Sequence, residues 1–209
     1  MRFVLFLSFL SVNSVFAQTI LLEENFSGTS QSGLPLLWSQ STLSNDGGWL
    51  SGTSNSLQSQ YWGIDPHGTF VATNDDACDC NKSADYLMTP PLNFTGLDNA
   101  ILSFASYFSG QAFEGSTDRA TIEYSFNGGA SWVVLTEIAG NGNAENTVWE
   151  NHNINLSELL NYDDVLLAFH YDDDGGWMFG WAIDDLIIYE PVGLNAEMTS
   201  LTFPTDISL

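Results

Sequence analysis

Short runs of apolar, β-branched and aromatic residues, each about the length of a strand, recur along the chain between turn residues. In "ATIEYSF", apolar Ile122, Tyr124 and Phe126 alternate with polar residues, which is the period-two pattern of a half-buried strand. Other such runs are "TILLEENF", "GTFVAT", "DYLMTPPL", "AILSFASYF", "SWVVLTEI", "VLLAFHYD" and "WAIDDLIIYE". About eight strands at this spacing predict an all-β fold, a jelly-roll β-sandwich of two antiparallel sheets.

The N-terminal segment has the features of a secretory signal peptide. Residues 1–17 begin with Met1-Arg2, continue with a short apolar run and end at the small residue Ala17, so we expect an exported protein. No other stretch approaches the ~20 apolar residues of a membrane helix, and no membrane span is expected. Residues 18–191 are then one jelly-roll domain, and residues 192–209 a linker and the start of a truncated following module.

The segment after the signal peptide is strongly acidic. It contains 26 Asp and Glu residues but only two basic residues, Lys82 and Arg119. Such a surface repels nucleic acid and anionic membranes, so neither is expected as a partner. Because the chain has too few Lys and Arg side chains to pair with these carboxylates, clustered acids must be solvated, protonated or neutralised by a metal ion. For the scattered acids, a soluble, salt-tolerant surface is the simplest interpretation.

The stretch "NDDACDCNKSADYL" places Cys78 and Cys80 one residue apart in an acidic loop. In an oxidising, exported context the two cysteines favour a disulfide with each other, which would hold the loop in shape. Zinc and redox chemistry are the alternatives. A structural zinc site requires four Cys or His ligands in paired spacings, whereas the histidines of this chain are scattered along the sequence. Redox-active cysteine pairs usually have two intervening residues, and this pair has one.

A second acidic cluster lies in "FHYDDDGGWMFGWAIDDL". It is not an EF-hand, because the last ligand position of such a loop falls on Trp181 and the predicted flanks are strands. Asp184 and Asp185 interrupt an apolar strand, where alternation should direct one of them inward. With no lysine nearby in sequence, an inward carboxylate requires a metal or hydrogen-bond donors.

No sequence motif indicates catalysis. Gly-x-Ser-x-Gly and His-Glu-x-x-His are missing from the sequence, and "SFNGGASW" is interpreted as a structural hairpin with Trp132 packed on it. A dispersed glycosidase-type pair would need two carboxylates about 5 to 10 Å apart in an open groove. We therefore predict a protein that is not an enzyme.

Taken in order, several motifs resemble one known family. "EENFSG", "GGWLSGT", "FVATNDDACDCNKSADYLMTPPLNF", "IEYSFNGGASW" and "FHYDDDGGWMFGWAIDDLIIY" together resemble the cleaved-adhesin or choice-of-anchor J domain, a jelly roll similar to MAM domains, over about residues 20–191. The resemblance implies a calcium-stabilised adhesion domain. Such domains occur in exported proteins of bacteria with type IX secretion, including the haemagglutinin/adhesin regions of gingipain-like proteases.

The resemblance also implies a set of calcium ligands. Because the first and last strands of a jelly roll lie together, Glu24, Asp85 and one of Asp184 or Asp185 should converge on one ion. The acidic loop could supply further oxygens from Asp75 and Asp76.

The expected function is binding. The leading hypothesis is a secreted or cell-surface adhesin or carbohydrate/protein-binding module whose partner is an extracellular glycan or a host or matrix protein. Trp62 and Trp177, which lie in glycine-rich stretches, are expected to be exposed for stacking on a sugar. The alternative is an accessory domain of a secreted protease or glycoside hydrolase whose catalytic domain lies outside this sequence.

Overall fold

The computed structural model describes residues 18–29 and 33–192, and their regular structure is almost entirely strand. The strands are β1 (Thr19–Glu24), β2 (Ser39–Ser41), β3 (Leu50–Gly52), β4 (Phe70–Asn74), β5 (Asp85–Met88), β6 (Ile101–Phe108), β7 (Ala112–Phe113), β8 (Ser116–Thr117), β9 (Arg119–Ser125), β10 (Val133–Glu137), β11 (Glu150–Asn155), β12 (Leu166–Asp172) and β13 (Gly180–Glu190). One short helix, α1 (Ser54–Leu57), and two 3₁₀ turns, Ala144–Asn146 and Ser157–Leu159, complete them.

Two predicted segments lie outside the described residues. They are the signal peptide of residues 1–17 and the linker and following module of residues 192–209, of which only Val192 is described. Among residues 18–29 and 33–192, no helix has the length and apolar character needed to cross a membrane.

The strands form two large antiparallel sheets, which confirms the predicted jelly-roll β-sandwich. The six-stranded sheet has the order β11-β6-β13-β4-β3, with β1 paired to β13, and the five-stranded sheet has the order β10-β9-β12-β5-β2. The first and last strands are neighbours, with Glu24 opposite Leu186. A small hairpin, β7-β8, lies between β6 and β9 in the sequence.

The main core lies between the two sheets and is rich in aromatic residues. Phe104 of the six-stranded sheet meets Phe169 of the five-stranded sheet at a ring-centroid distance of 5.2 Å, and Phe169 meets Trp181 at 5.7 Å. All three side chains are fully buried. Burial of this apolar surface, at about 25 cal/mol per Å², is the main force that holds the sheets together.

A second apolar cluster covers the outer face of the six-stranded sheet. Ala182 belongs to this cluster and Ile183 to the main core, as expected for adjacent strand residues. Trp62 lies in the outer cluster and is 0% exposed, so the prediction that it is exposed for ligand binding is wrong. The physical reason is space: Gly180 has no side chain, and a Cβ there would lie only 2.8 Å from the Trp62 ring.

Strand β13 contains an irregularity at its two adjacent aspartates. Ile183 and Leu186 both reach the main core, although they are three residues apart. The ladder to β6 shifts register between Asp184 and Ile187, and Asp185 has a φ of 49°. This bulge places both aspartates between two core positions, so neither of them faces the main core. Asp184 is nevertheless buried, at 3% exposure, on the outer face of the sheet, and Asp185 is exposed.

Candidate binding cleft and buried acidic centres

A cleft of about 660 Å³ opens at the end of the sandwich where β4 and β6 end and β13 begins. Its lining includes four aromatic residues, two side-chain amides and two carboxylates. Among the lining residues are Tyr61, Asp76, Gln111, Phe113, Asn143, Glu145 and Trp177.

Three of the four aromatic side chains of the cleft are exposed, and the fourth, Phe179, is half-buried. Tyr61 is 60%, Trp177 44% and Phe113 42% exposed, and the rings of Tyr61 and Trp177 meet edge to face at 5.8 Å. Asp76 holds both: its Oδ2 accepts a hydrogen bond from Tyr61 N at 2.9 Å, and its carbonyl oxygen accepts one from Trp177 Nε1 at 3.4 Å. Trp177 is thus exposed as predicted, and Tyr61 takes the place expected for Trp62.

The opposite rim of the cleft is fixed by its own hydrogen bonds. Gln111 Oε1 accepts from Ala144 N at 2.7 Å, and Gly142 N donates to the carbonyl oxygen of Ser109 at 2.7 Å. Gly140 packs so closely on Ser109 that a Cβ would lie 2.1 Å from the Ser109 carbonyl carbon. These contacts leave this rim of the cleft little freedom to move.

A second aromatic surface lies on the outer face of the five-stranded sheet. Tyr86 stacks on His170 at 3.9 Å and on Trp132 at 5.6 Å, and His170 Nδ1 lies 2.7 Å from Glu123 Oε1. Burial alone would raise the pKa of Glu123, but the hydrogen bonds from His170 and Thr121, together with nearby positive charge, lower it. These rings pack on one another and do not line the cleft.

Lys82 is a buried cation within the molecule. Its side chain is 0% exposed, and its Nζ lies 2.8 Å from Asp46 Oδ2 and 3.1 Å from Asp85 Oδ2. Asp85 also accepts hydrogen bonds from Thr73 Oγ1 at 2.7 Å and from Thr42 Oγ1. Although burial alone would raise it, hydrogen bonds from Lys82 and Ser44 lower the pKa of Asp46. Asp85 therefore has its own cation and its own donors.

Asp85 does not join the last-strand aspartates. Its donor Thr73 pairs with Trp181, which lies in the main core, so the Asp85 carboxylate lies on the inner face of the six-stranded sheet. Asp184 lies on the outer face, next to His67, whose ring stacks on Trp149 of the outer cluster at 4.4 Å.

Because the sheet separates the two carboxylates, the predicted convergence of Glu24, Asp85 and Asp184 or Asp185 on one calcium is wrong for Asp85. The ligand set that the resemblance implies does not fit one ion as a set.

The remaining members of that set form a smaller acidic group. His67 Nε2 lies 3.1 Å from Asp185 Oδ2 and 3.9 Å from Asp184 Oδ2. Burial raises the pKa of Asp184 to about 7, and the neighbouring charges of Asp185 and Glu24 act in the same direction. Glu24 Oε1 accepts a hydrogen bond from Phe26 N at 2.7 Å. His67 thus contacts both aspartates of this group.

The cysteine loop contains a disulfide. Cys78 and Cys80 are bonded at an S–S distance of 2.00 Å, in agreement with the sequence prediction, and no free cysteine exists. Both sulfurs lie near Asp46, but bonded sulfurs are not thiolates, so this group does not offer zinc its usual ligands. The Asp75 carbonyl oxygen accepts hydrogen bonds from Cys78 N at 3.1 Å and Asp79 N at 2.8 Å, which closes the loop.

A third group of acids lies buried beneath the cleft. Asp75 Oδ2 accepts a hydrogen bond from Met178 N at 2.5 Å, and Asp118 Oδ2 accepts one from Tyr171 Oη at 3.3 Å. The Asp173 carboxylate accepts from Gly175 N at 2.9 Å and Lys82 N at 2.8 Å. Burial raises the pKa of both Asp75 and Asp118 to about 7.

Asp75 and Asp76, predicted as auxiliary ligands of one ion, thus have different positions. Asp75 is buried in this acidic group, and Asp76 lines the cleft. Sequence analysis missed Asp118 as a candidate, because it is a single acid beside a strand with no motif around it. Asp173 was visible only as part of the "DDD" run.

No protein-family model and no curated protein matches the chain, whereas solved structures of one fold do. The K1 cleaved adhesin domain of Lys-gingipain from Porphyromonas gingivalis W83 has a TM-score of 0.56 at 19% identity, over 80% of this chain and 96% of that one. The K3 domain of the same protein gives 0.56 at 18% identity, over 83% and 99%. The K2 domain gives 0.55 at 18%, over 80% and 96%.

Proposed function

We propose that this chain is an exported, non-catalytic adhesion module that binds an extracellular glycan in the cleft. The observation that carries the proposal is the exposed pair Tyr61 and Trp177, which Asp76 holds in place on one side of the cleft. The fold supports it, because the chain has the fold of cleaved adhesin domains.

The chemistry of the cleft favours a sugar ligand. Exposed aromatic rings pack against the apolar face of a pyranose, and amide and carboxylate groups accept and donate hydrogen bonds to its hydroxyls. The volume, about 660 Å³, lies within the usual range of small-ligand sites. Gln111, Asn143 and Glu145 supply the polar groups.

The charge of the cleft narrows the class of sugar. Asp76 and Glu145 line it, whereas Lys82 is buried elsewhere and Arg119 is paired with Glu137 at 3.1 Å. A sulfated or carboxylated sugar would meet carboxylates without a compensating cation. The ligand we propose is therefore a neutral or amino-substituted glycan. If the chain is the accessory domain of a secreted hydrolase, the same cleft would serve to hold that enzyme on its substrate.

The proposal is tested on a glycan array and then by calorimetry with the best ligand. Trp177→Ala and Tyr61→Ala should each weaken binding by about tenfold or more, since each removes a stacking surface. Tyr162→Ala is the matched control, because Tyr162 is 48% exposed and does not line the cleft. Unchanged affinity in both cleft variants would contradict the proposal.

Three further measurements separate the alternatives. Loss of binding in Trp132→Ala alone would move the binding surface to the outer face of the five-stranded sheet. Binding to matrix proteins with no glycan bound would favour a protein partner, and release of new reducing ends from a bound glycan would contradict the non-catalytic assignment.

A further inference from the structure

Two exposed aromatic rings of the cleft form a corner. The rings of Tyr61 and Trp177 are inclined at 79° to each other, with a centroid distance of 5.8 Å. Phe113 and Phe179 line the same cleft. A flat sugar face packs on one ring, or on rings that lie side by side, whereas a compact group such as a cation can touch both faces of a corner. The angle between the rings therefore favours a compact group at this point.

The charged side chains of the cleft are all negative. Asp76 and Glu145 line it, and no Lys, Arg or His side chain does so among the residues that the structure describes. Asp76 lies at the corner itself, because its Oδ2 accepts a hydrogen bond from Tyr61 N and its carbonyl oxygen accepts one from Trp177 Nε1. The face of an aromatic ring also carries negative partial charge. Two ring faces and a carboxylate thus lie together without a cation of the protein.

The rest of the chain adds to this negative field. The chain has 26 Asp and Glu residues and three Lys and Arg residues. Lys82 and Arg119, the two basic residues of the described part, are already paired with carboxylates. A negative potential raises the local concentration of cationic ligands and lowers that of anionic ones. A positively charged ligand gains from this field, and an uncharged one does not.

The loop that carries Trp177 is held in place by β8. Gly176 packs so closely on this strand that a Cβ there would lie 2.5 Å from Ser116 Cβ. Thr117 N donates a hydrogen bond to Asp174 Oδ2 at 3.3 Å, which also joins β8 to the loop. The corner is therefore formed before a ligand arrives, and a preformed site loses less conformational entropy on binding.

We propose that the corner of Tyr61 and Trp177 binds an ammonium group of the ligand, and that Asp76 and Glu145 supply the opposite charge. A cation within about 6 Å of a ring centroid is attracted by the negative face of the ring, and a nearby carboxylate adds to the attraction. The inference deepens the proposed function and rests on it, since it names the glycan as one with free amino groups. Neutral and N-acetylated glycans are then the weaker ligands.

The remainder of the cleft favours an amino sugar over a lysine side chain. The cleft, at about 660 Å³, is much larger than an ammonium group, and the side-chain amides of Gln111 and Asn143 line it. Amide groups both donate and accept hydrogen bonds, as the hydroxyl groups of a sugar do. A lysine presents its ammonium group on a stem of four carbons, which offers these amides no partner.

Calorimetry with three ligands of defined charge tests the proposal. They are the β-linked trimer of glucosamine, the same trimer fully N-acetylated, and an acetylated and amidated tripeptide of lysine, at a pH that keeps the amines protonated. The glucosamine trimer should bind about tenfold or more tightly than the N-acetylated trimer, because only the former carries ammonium groups. Equal affinity for the two trimers, or tighter binding of the N-acetylated one, would overturn the proposal.

Two variants of equal charge separate a site from general attraction to an acidic protein. Glu145→Gln and Glu158→Gln each remove one negative charge, but only Glu145 lines the cleft, and Glu158 is exposed elsewhere. Affinity for the glucosamine trimer should fall about threefold or more in Glu145→Gln and about tenfold in Trp177→Ala. It should stay unchanged in Glu158→Gln. Equal losses in the two Gln variants would mean attraction to the whole surface, and would overturn the site.

Choline tests the contribution of the rings separately. Its quaternary ammonium group donates no hydrogen bond, and its uncharged isostere, in which carbon replaces the nitrogen, is the matched neutral probe. In an NMR titration, choline chloride should shift the indole N–H resonance of Trp177, which is identified by its absence in Trp177→Phe. The isostere should need about tenfold higher concentration for the same shift. Equal effects of the two probes would overturn the ammonium site.

The results distinguish this inference from the proposed function. If a neutral glycan binds and loses affinity in Trp177→Ala while the glucosamine trimer does not bind, the inference is overturned and the proposed function stands. If choline binds at Trp177 but the lysine tripeptide binds more tightly than the glucosamine trimer, the ligand is a protein and the glycan assignment is overturned. Tightest binding of the glucosamine trimer, lost in Trp177→Ala, supports both.

Discussion

The ammonium nitrogen of Lys82 lies 3.1 Å from Oδ2 of Asp85, and both side chains are completely buried. Lys82→Met should lower the free energy of unfolding by about 3–5 kcal/mol, because it leaves Asp85 and Asp46 without their cation. Urea denaturation at neutral pH measures this loss.

A second variant shows whether the pair acts as a unit. Lys82→Met/Asp85→Leu should lose less stability than the two single variants added together, since it removes both fully buried charges and leaves only the partly exposed Asp46 unpaired. A strictly additive result would mean that the ion pair itself contributes little.

The two tryptophans expected to bind ligand should behave in opposite ways. Trp62→Ala removes a fully buried indole and should lower the free energy of unfolding by about 3–5 kcal/mol. Trp177→Ala, at an exposed site, should change it by less than about 1 kcal/mol. Chemical denaturation of both variants tests the difference, and a larger loss in Trp177→Ala would contradict the burial described above.

His152 gives the domain a measurable dependence on pH. The side chain is half-buried and stacks on Phe104 at 5.3 Å. Burial lowers its pKa, with Glu150 opposing the shift. At pH values between the folded and the unfolded pKa of His152, the unfolded chain binds more protons than the folded chain. The contribution of neutral His152 to the free energy of unfolding is therefore complete above its unfolded pKa of about 6.5, and it is lost as the pH falls through the folded pKa.

The test is a comparison with His152→Phe, which keeps an aromatic ring on Phe104. As the pH is lowered from about 7.5 to about 5, the free energy of unfolding of the parent should fall relative to that of this variant. The acidic groups titrate in both proteins, so their effects cancel in the difference. A difference that does not change with pH would contradict the prediction.

Gly140 lies where no side chain fits. A Cβ there would be 2.1 Å from the carbonyl carbon of Ser109 and 2.6 Å from Gly110 N, both backbone atoms. Gly140→Ala should therefore lower stability by about 1–3 kcal/mol and, by displacing the rim, weaken ligand binding. Gly63→Ala is the control, since a Cβ at Gly63 has no neighbour within 4 Å. Equal melting temperatures for the two variants would contradict this account.

The disulfide should contribute little to global stability. Cys78 and Cys80 are separated by two positions, and a loop this short is stabilised by about 1.5 kcal/mol on the chain-entropy estimate. Cys78→Ser/Cys80→Ser should lose about that amount in urea denaturation. Alkylation followed by mass spectrometry should label the unreduced, denatured parent at neither cysteine, and labelling at both would exclude the bond.

The alternation of apolar and polar residues predicted the fold, because it depends only on neighbours in sequence. Ile122 and Tyr124 show the pattern in a strand that the structure contains. The choice between Tyr61 and Trp62 could not be made in this way. Adjacent residues of an extended segment face opposite sides, and the space that selects Trp62 for burial is created by Gly180, more than a hundred residues later.

The acidic residues were harder to assign for a related reason. Asp85 was interpreted as a calcium ligand because the family resemblance implies it, yet Lys82, three residues away, is its partner. A strand and a preceding loop bring the two together, and nothing in the spacing indicates it. Asp118 carries no local pattern, and only the folded chain brings it near Asp75.

Burial of Lys82 also lowers the susceptibility of the folded domain to proteases that cleave after basic residues. Beyond Arg2, the chain contains only Lys82 and Arg119 as cleavage points for a trypsin-like enzyme. Lys82 is enclosed, and Arg119 begins β9, paired with Asp172 of β12. Such enzymes require an exposed, extended segment that can leave the fold. Digestion at either point must therefore wait for local or global unfolding, and its rate would report how often the sandwich opens.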